Sequence, residues 1–242
     1  MNKLIKAERY RLLHSGNFFK FLVFLCVLVA FTPFFADHTC YQKTLFENID
    51  TMGMALSMFL PMLVCMVISV IIGNSYSNRT AYYEIMDENS IFNMVLSKVI
   101  VYSTTVVLTF GVPMSLYFVY IGAVNGIGEI HNIALFAILF AVITLHYVMS
   151  CVLTTMCVKN VIAAAIIPYI RYVILGGLGV SIFSGNDKAD KILSWFASRQ
   201  IANLGQLEYS WYFIFAVLAS YILEFGLLYF VVHRVYRNKN FK

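Results

Sequence analysis

Two charged residues stand where charge is expensive. Arg171 lies in IIPYIRYVIL and Glu224 in SYILEFGLL, each inside a run of apolar residues. A full charge at the centre of a bilayer is costly unless it is paired or hydrated. Counted from the inner ends of their runs at 1.5 Å per residue, both stand about 13–15 Å deep. At matched depth they can form a structural ion pair between neighbouring helices. The functional alternative is a polar patch facing a translocation path or a subunit interface. His146, also inside an apolar run, reads as a hydrogen-bonded packing residue, with a proton relay as the alternative.

The elements that must hold these three residues are set by composition. Hydrophobic residues make up 61% of the 242 and charged residues 12%, about half the charged share of an ordinary soluble domain. A soluble fold of this length has too little interior for that much apolar surface. The chain reads as a single all-α membrane protein over 1–242. Six apolar segments have the length that a bilayer core requires: 17–36, 53–74, 98–121, 133–157, 161–183 and 210–232. The first follows a basic, polar stretch and lacks a small-x-small cleavage site before a soluble domain, so it reads as a retained helix rather than a signal peptide. Pro33, Pro61, Pro113 and Pro168 fall within or at the ends of helices, where they are ordinary in membrane spans. Gly176, Gly177 and Gly179 lie mid-span, where small residues allow close helix packing.

The distribution of Lys and Arg gives an orientation. With both termini inside, the inner segments carry Lys3, Lys6, Arg9, Arg11, Lys20, Arg79, Lys98, Lys159, Arg234, Arg237, Lys239 and Lys242. The outer loops carry only Lys43, Lys188, Lys191 and Arg199. The net charge of +5 is thereby explained by membrane orientation, and no nucleic-acid partner is implied. Of the five cysteines, Cys26, Cys65, Cys151 and Cys157 lie inside expected helices and behave as small hydrophobes. Cys40 lies in an outer loop without an obvious disulfide partner, and no metal-ligand spacing occurs. The last outer loop, about 184–209, contains Ile192, Leu193, Phe196, Ile201 and Leu204, which can form one apolar face of an interfacial or re-entrant helix.

No GxxxxGK[ST] phosphate loop is present, nor HExxH or GxSxG, so the chain itself reads as neither an ATPase nor a membrane enzyme. The inner segment after the second span reads NSYSNRTAYYEIMDENSIFNMVLSKVIVY, from Asn74 to Tyr102. A short helix fits after Asn78, followed by the polar break Asp87-Glu88-Asn89-Ser90. Then Ile91 and Phe92 lead to Lys98 at the mouth of the third span.

This stretch resembles the link between the second and third helices of ABC-2 type transporter permeases. There a polar entry, a short hydrophobic stretch, a polar break and a Ser-Lys precede the third helix. Arg79-Thr80, Tyr83 to Met86, Asp87 to Ser90 and Ser97-Lys98 occupy those places, without the proline many relatives carry in the break. The stretch AERYRLLHSGNFF, Ala7 to Phe19, is similar to the entry of the small lantibiotic- and bacteriocin-immunity-like branch, which begins with a Glu, one or two basic residues, and a Ser. In residues the resemblance covers these two degenerate stretches; in layout it covers the chain.

The resemblance implies an N-terminal interfacial elbow helix over about 1–16 and a short cytoplasmic coupling helix within about 75–97. Its docking face would be Arg79, Tyr82, Tyr83, Glu84, Asp87 and Glu88. The alternatives are a basic tail drawn to anionic lipid and a solvated loop with interfacial tyrosines. The resemblance further implies separate ABC ATPase subunits that carry ATP and Mg, no cofactor in this chain, and a second permease, identical or homologous. The setting would be a bacterial cytoplasmic membrane, and the substrate an amphiphilic antimicrobial peptide or lipid. Two other readings stand beside this one: a secondary transporter driven by an ion gradient, and a non-transporting membrane subunit of a transporter complex.

Overall fold

The computed structural model describes residues 2–14, 20, 23–24, 27, 42–45, 47–49, 68–74, 90–126, 133–158, 160–172, 187–204 and 209–238. Among the described residues the chain is helical apart from short caps and turns, without a strand. Seven helices are defined there: α1 (Asn2–His14), α2 (Ile91–Asn125), α3 (Ile133–Val158), α4 (Val161–Tyr172), α5 (Asp187–Leu193), α6 (Ala197–Leu204) and α7 (Trp211–Asn238). The stretch 68–74 is also helical. Three of these, α2, α3 and α7, are long and apolar enough to cross a membrane. Most of the expected first and second spans and residues 173–183 of the fifth lie outside the described residues.

α2 is longer than the apolar run 98–121 suggests. Ser90 was read as part of a polar break; its hydroxyl instead accepts from the Asn93 N–H at 3.2 Å and caps the helix. Capping satisfies one of the donors that a helix start leaves unpaired. Residues 91–97, assigned from the sequence to the connecting segment, are therefore the first two turns of α2. At the other end Gly126, with φ +85°, terminates it; glycine enters that region without a Cβ clash. α7 likewise extends past the expected 232 to Asn238.

α3 is the centre of the assembly, packed against α2, α4, α6 and α7. Of its apolar span 67% is buried, against 17% for α7. Leu139, Ile143, Tyr147, Val148, Cys151, Val152 and Met156 are all enclosed. Hydroxyls in the long helices bond back to their own backbone. Thr105 and Thr109 donate to the carbonyls of Val101 and Thr105 at 2.8 and 2.7 Å, and Thr155 to Cys151 at 2.7 Å. That habit lets a polar residue sit in an apolar helix without an external partner. Asn160 caps α4 by accepting from Ile162 and Ala163 N–H at 3.0 and 3.1 Å. α4 thus starts at Val161, three positions after α3 ends at Val158.

The last loop forms two helices instead of one. α5 ends at Leu193, the chain turns through Ser194–Phe196, and α6 follows. The turn breaks the helical phase. Leu193, Ile201 and Leu204 are buried while Ile192, expected on the same face, is 65% exposed. Gln200 fixes the pair inward, its amide donating to the Ser194 carbonyl at 3.1 Å and to Ser220 Oγ at 3.0 Å. Before the expected second span Thr44 starts a short turn. Its N–H donates to Glu47 at 2.9 Å, and that backbone bond holds the Glu47 carboxyl below its ordinary value.

One close approach depends on glycine. A Cβ on Gly73 would stand 2.7 Å from Val161 Cγ2 and 3.0 Å from Val161 Cα. Because backbone is among the atoms met, a side-chain rotation does not relieve the clash. Gly73→Ala is expected to cost roughly 1–3 kcal/mol, read as a lowered melting temperature of the detergent-solubilised protein. Gly111→Ala, where a Cβ meets nothing within 4 Å, is the matched control and leaves melting unchanged or raised. Equal melting of the two variants would remove the 68–74/α4 contact from the fold.

Candidate functional site: two buried charge clusters

The three residues singled out from the sequence come together. Arg171, in the last turn of α4, donates from Nη1 to Glu224 Oε1 at 2.6 Å. His146 Nε2 lies 2.8 Å from Glu224 Oε2. The guanidinium also donates from Nη2 to Ser150 Oγ at 3.0 Å. Spacing of four residues on α3 places His146 and Ser150 on one side of that helix, facing α4 and α7 together. Arg171 and Glu224 pair directly, and His146 is the third member of the cluster.

Of the two imidazole nitrogens Nε2 meets the carboxylate; Nδ1 is buried and has no hydrogen-bond partner. Tyr221 closes the imidazole edge-on, ring centres 5.8 Å apart. The Arg171 and Glu224 side chains keep 34% and 21% of their surface exposed, so the cluster opens toward one flank of the bundle. Among the described residues no group of His, Cys, Asp and Glu is placed to hold a metal ion.

A second cluster was not anticipated as a unit. Glu8 of α1 forms an ion pair with Lys98 of α2, and both side chains are almost wholly enclosed, 3% and 1% exposed. Tyr102 donates to the other carboxylate oxygen at 3.3 Å, and Arg11 reaches the first from within α1 at 3.2 Å. Leu12 is buried beside them. The signal was present: Glu8 is the only acid before Asp37 in an otherwise cationic stretch. Lys98, expected at the mouth of a span, stands two turns inside α2.

Arg79, Tyr82, Tyr83, Glu84, Asp87 and Glu88, the expected docking face, lie outside the described residues. No protein-family model matches the chain, and no curated protein matches it.

Proposed function

We propose that this chain is the permease subunit of an ABC exporter of the ABC-2 type. In this reading it spans the membrane six times with both termini inside. It moves an amphiphilic peptide or lipid with energy from a separate ATPase.

One observation carries the reading furthest. The two stretches on which the resemblance rests are far apart in sequence, and the buried Glu8–Lys98 ion pair joins them. Glu8 belongs to the entry AERYRLLHS, and Lys98 to the Ser-Lys before the third span. An elbow helix bolted to the first turns of α2 moves with whatever displaces the segment before Ser90. That is the mechanical link a permease without its own nucleotide site requires, because packed elements shift as rigid bodies.

The contact between His146 and Glu224 favours a second reading, a carrier driven by an ion gradient, since acid–histidine chains serve proton relays in transporters. Here the acid is also held by Arg171, which opposes its release of charge.

The experiment is purification of the tagged protein in mild detergent with identification of co-purifying chains. ATP hydrolysis is then assayed with and without Asp87→Ala/Glu88→Ala. The expected result is a stoichiometric ATPase whose activity is lost or no longer responds to the permease in the double variant. A chain that purifies alone in several detergents, with uptake or export collapsed by a protonophore, would overturn the permease reading in favour of the carrier.

A further inference from the structure

We infer that the outward face of α1 is a binding surface for anionic phospholipid headgroups, selective for them over zwitterionic ones. The inference rests on the chain being membrane-embedded, and not on its working with an ATPase.

The rotation of α1 about its axis decides which side chains face outward. Ile5, Glu8 and Leu12, spaced three and four apart, form one stripe. Glu8 and Leu12 are buried and Ile5 packs against the core. The ion pair to Lys98 and the bond from Tyr102 lock this stripe onto α2. At 100° per residue the opposite side carries Lys3, Lys6, Tyr10 and Leu13, and Arg9 lies on the flank between the two stripes. All five are exposed, Tyr10 at 64% and Leu13 at 41%.

The charge of that stripe is unopposed. The only acid of α1 is Glu8, and its carboxylate is turned inward and matched by Lys98. Lys3, Lys6 and Arg9 have no acidic partner among the described residues. What α1 presents outward is thus cationic over its first half, with a tyrosine and a leucine over its second. Cations attract anionic headgroups, and an amphipathic aromatic settles at headgroup level.

The height of α1 places this surface at the membrane boundary. α2 has 35 residues, about 52 Å at 1.5 Å each, whereas a hydrocarbon core is about 30 Å thick. Part of α2 therefore stands beyond the core. Lys98 and Tyr102, which hold α1, lie about 10 and 16 Å along it. α1 is fastened at the level where α2 passes from headgroups into hydrocarbon.

The test uses the full chain, purified and reconstituted in nanodiscs of phosphatidylcholine containing about a third phosphatidylglycerol. Lipids retained on ejection from the disc are counted by native mass spectrometry. The wild type is expected to retain phosphatidylglycerol in preference, and Lys3→Gln/Lys6→Gln/Arg9→Gln to lose that preference by about tenfold or more. These side chains are exposed, so the triple variant keeps its melting temperature, which separates loss of binding from loss of fold. Salt at about 1 M abolishes the wild-type preference by screening.

An unchanged preference in the triple variant overturns the proposal. Competition by millimolar inorganic phosphate also overturns it, because that marks a phosphate pocket rather than a bilayer surface. Neither result depends on whether an ATPase co-purifies, so failure here and failure of the permease reading are told apart.

Discussion

Lys98→Met is expected to lower the stability of the protein by about 3–5 kcal/mol, because it leaves the Glu8 carboxylate enclosed without its cation. Glu8 and Lys98 are 3% and 1% exposed, so water cannot replace the lost partner. Arg11 remains beside Glu8; it is 29% exposed and its pull is weakened by solvent. Glu8→Leu/Lys98→Met removes both charges and is expected to recover most of the loss, since a buried pair and an apolar pair of similar volume are often close in energy. The measurement is a double-mutant cycle on unfolding in mixed micelles. A coupling energy below about 0.5 kcal/mol would mean that the two side chains do not depend on one another. Charge exchange, Glu8→Lys/Lys98→Glu, is expected to rescue only in part, because Tyr102 then faces an ammonium that offers it no acceptor.

Arg171→Leu is the second large effect. It strips Glu224 of the guanidinium and leaves His146 as its one neighbour in the cluster. The pair is partly exposed, 34% and 21%, so the cost is discounted from that of a fully buried pair to about 2 kcal/mol. Arg171→Lys keeps the charge but a single ammonium cannot reproduce the fork that reaches Glu224 and Ser150 together, and about half the loss is expected to remain. The pattern is checked by the same unfolding measurement with Ser150→Ala added. If Arg171→Lys/Ser150→Ala is no worse than Arg171→Lys alone, the guanidinium fork is confirmed as the sole route to Ser150. If Arg171→Leu costs nothing, the pair does not hold α4 to α7.

The helical class and the apolar spans were readable because hydrophobic length is a direct physical requirement. Three expected spans coincide with α2, α3 and α7, which are long enough to cross a membrane; α4 and the helical stretch 68–74 fall within two others. Ends were less readable. The start of α2 depends on a single hydroxyl, Ser90, meeting one N–H, and a polar run looks alike whether it caps a helix or forms a loop. Arg171, Glu224 and His146 were visible because each is polar in an apolar run. Ser150 was not, since serine is unremarkable in any helix and its role appears only when α4 is laid beside α3. Lys98 has an ordinary explanation at the mouth of a span, and Glu8 stands out only as the acid of AERYRLLHSGNFF. Only the docking of α1 reveals that they belong to each other. Ile192 shows the limit of pattern, as a turn of three residues moved it off the face it was expected to share.

The short link between α3 and α4 also fixes an order of events during synthesis. Arg171 leaves the ribosome fifty-three residues before Glu224 and twenty-one after Ser150. In a chain that enters a bilayer as it is made, the guanidinium arrives before its counter-ion exists. The α3–α4 hairpin carries an interim ligand, because Ser150 sits on the helix just completed and binds the guanidinium from within the same hairpin. The charge is thus chaperoned by its own predecessor until α7 delivers the carboxylate.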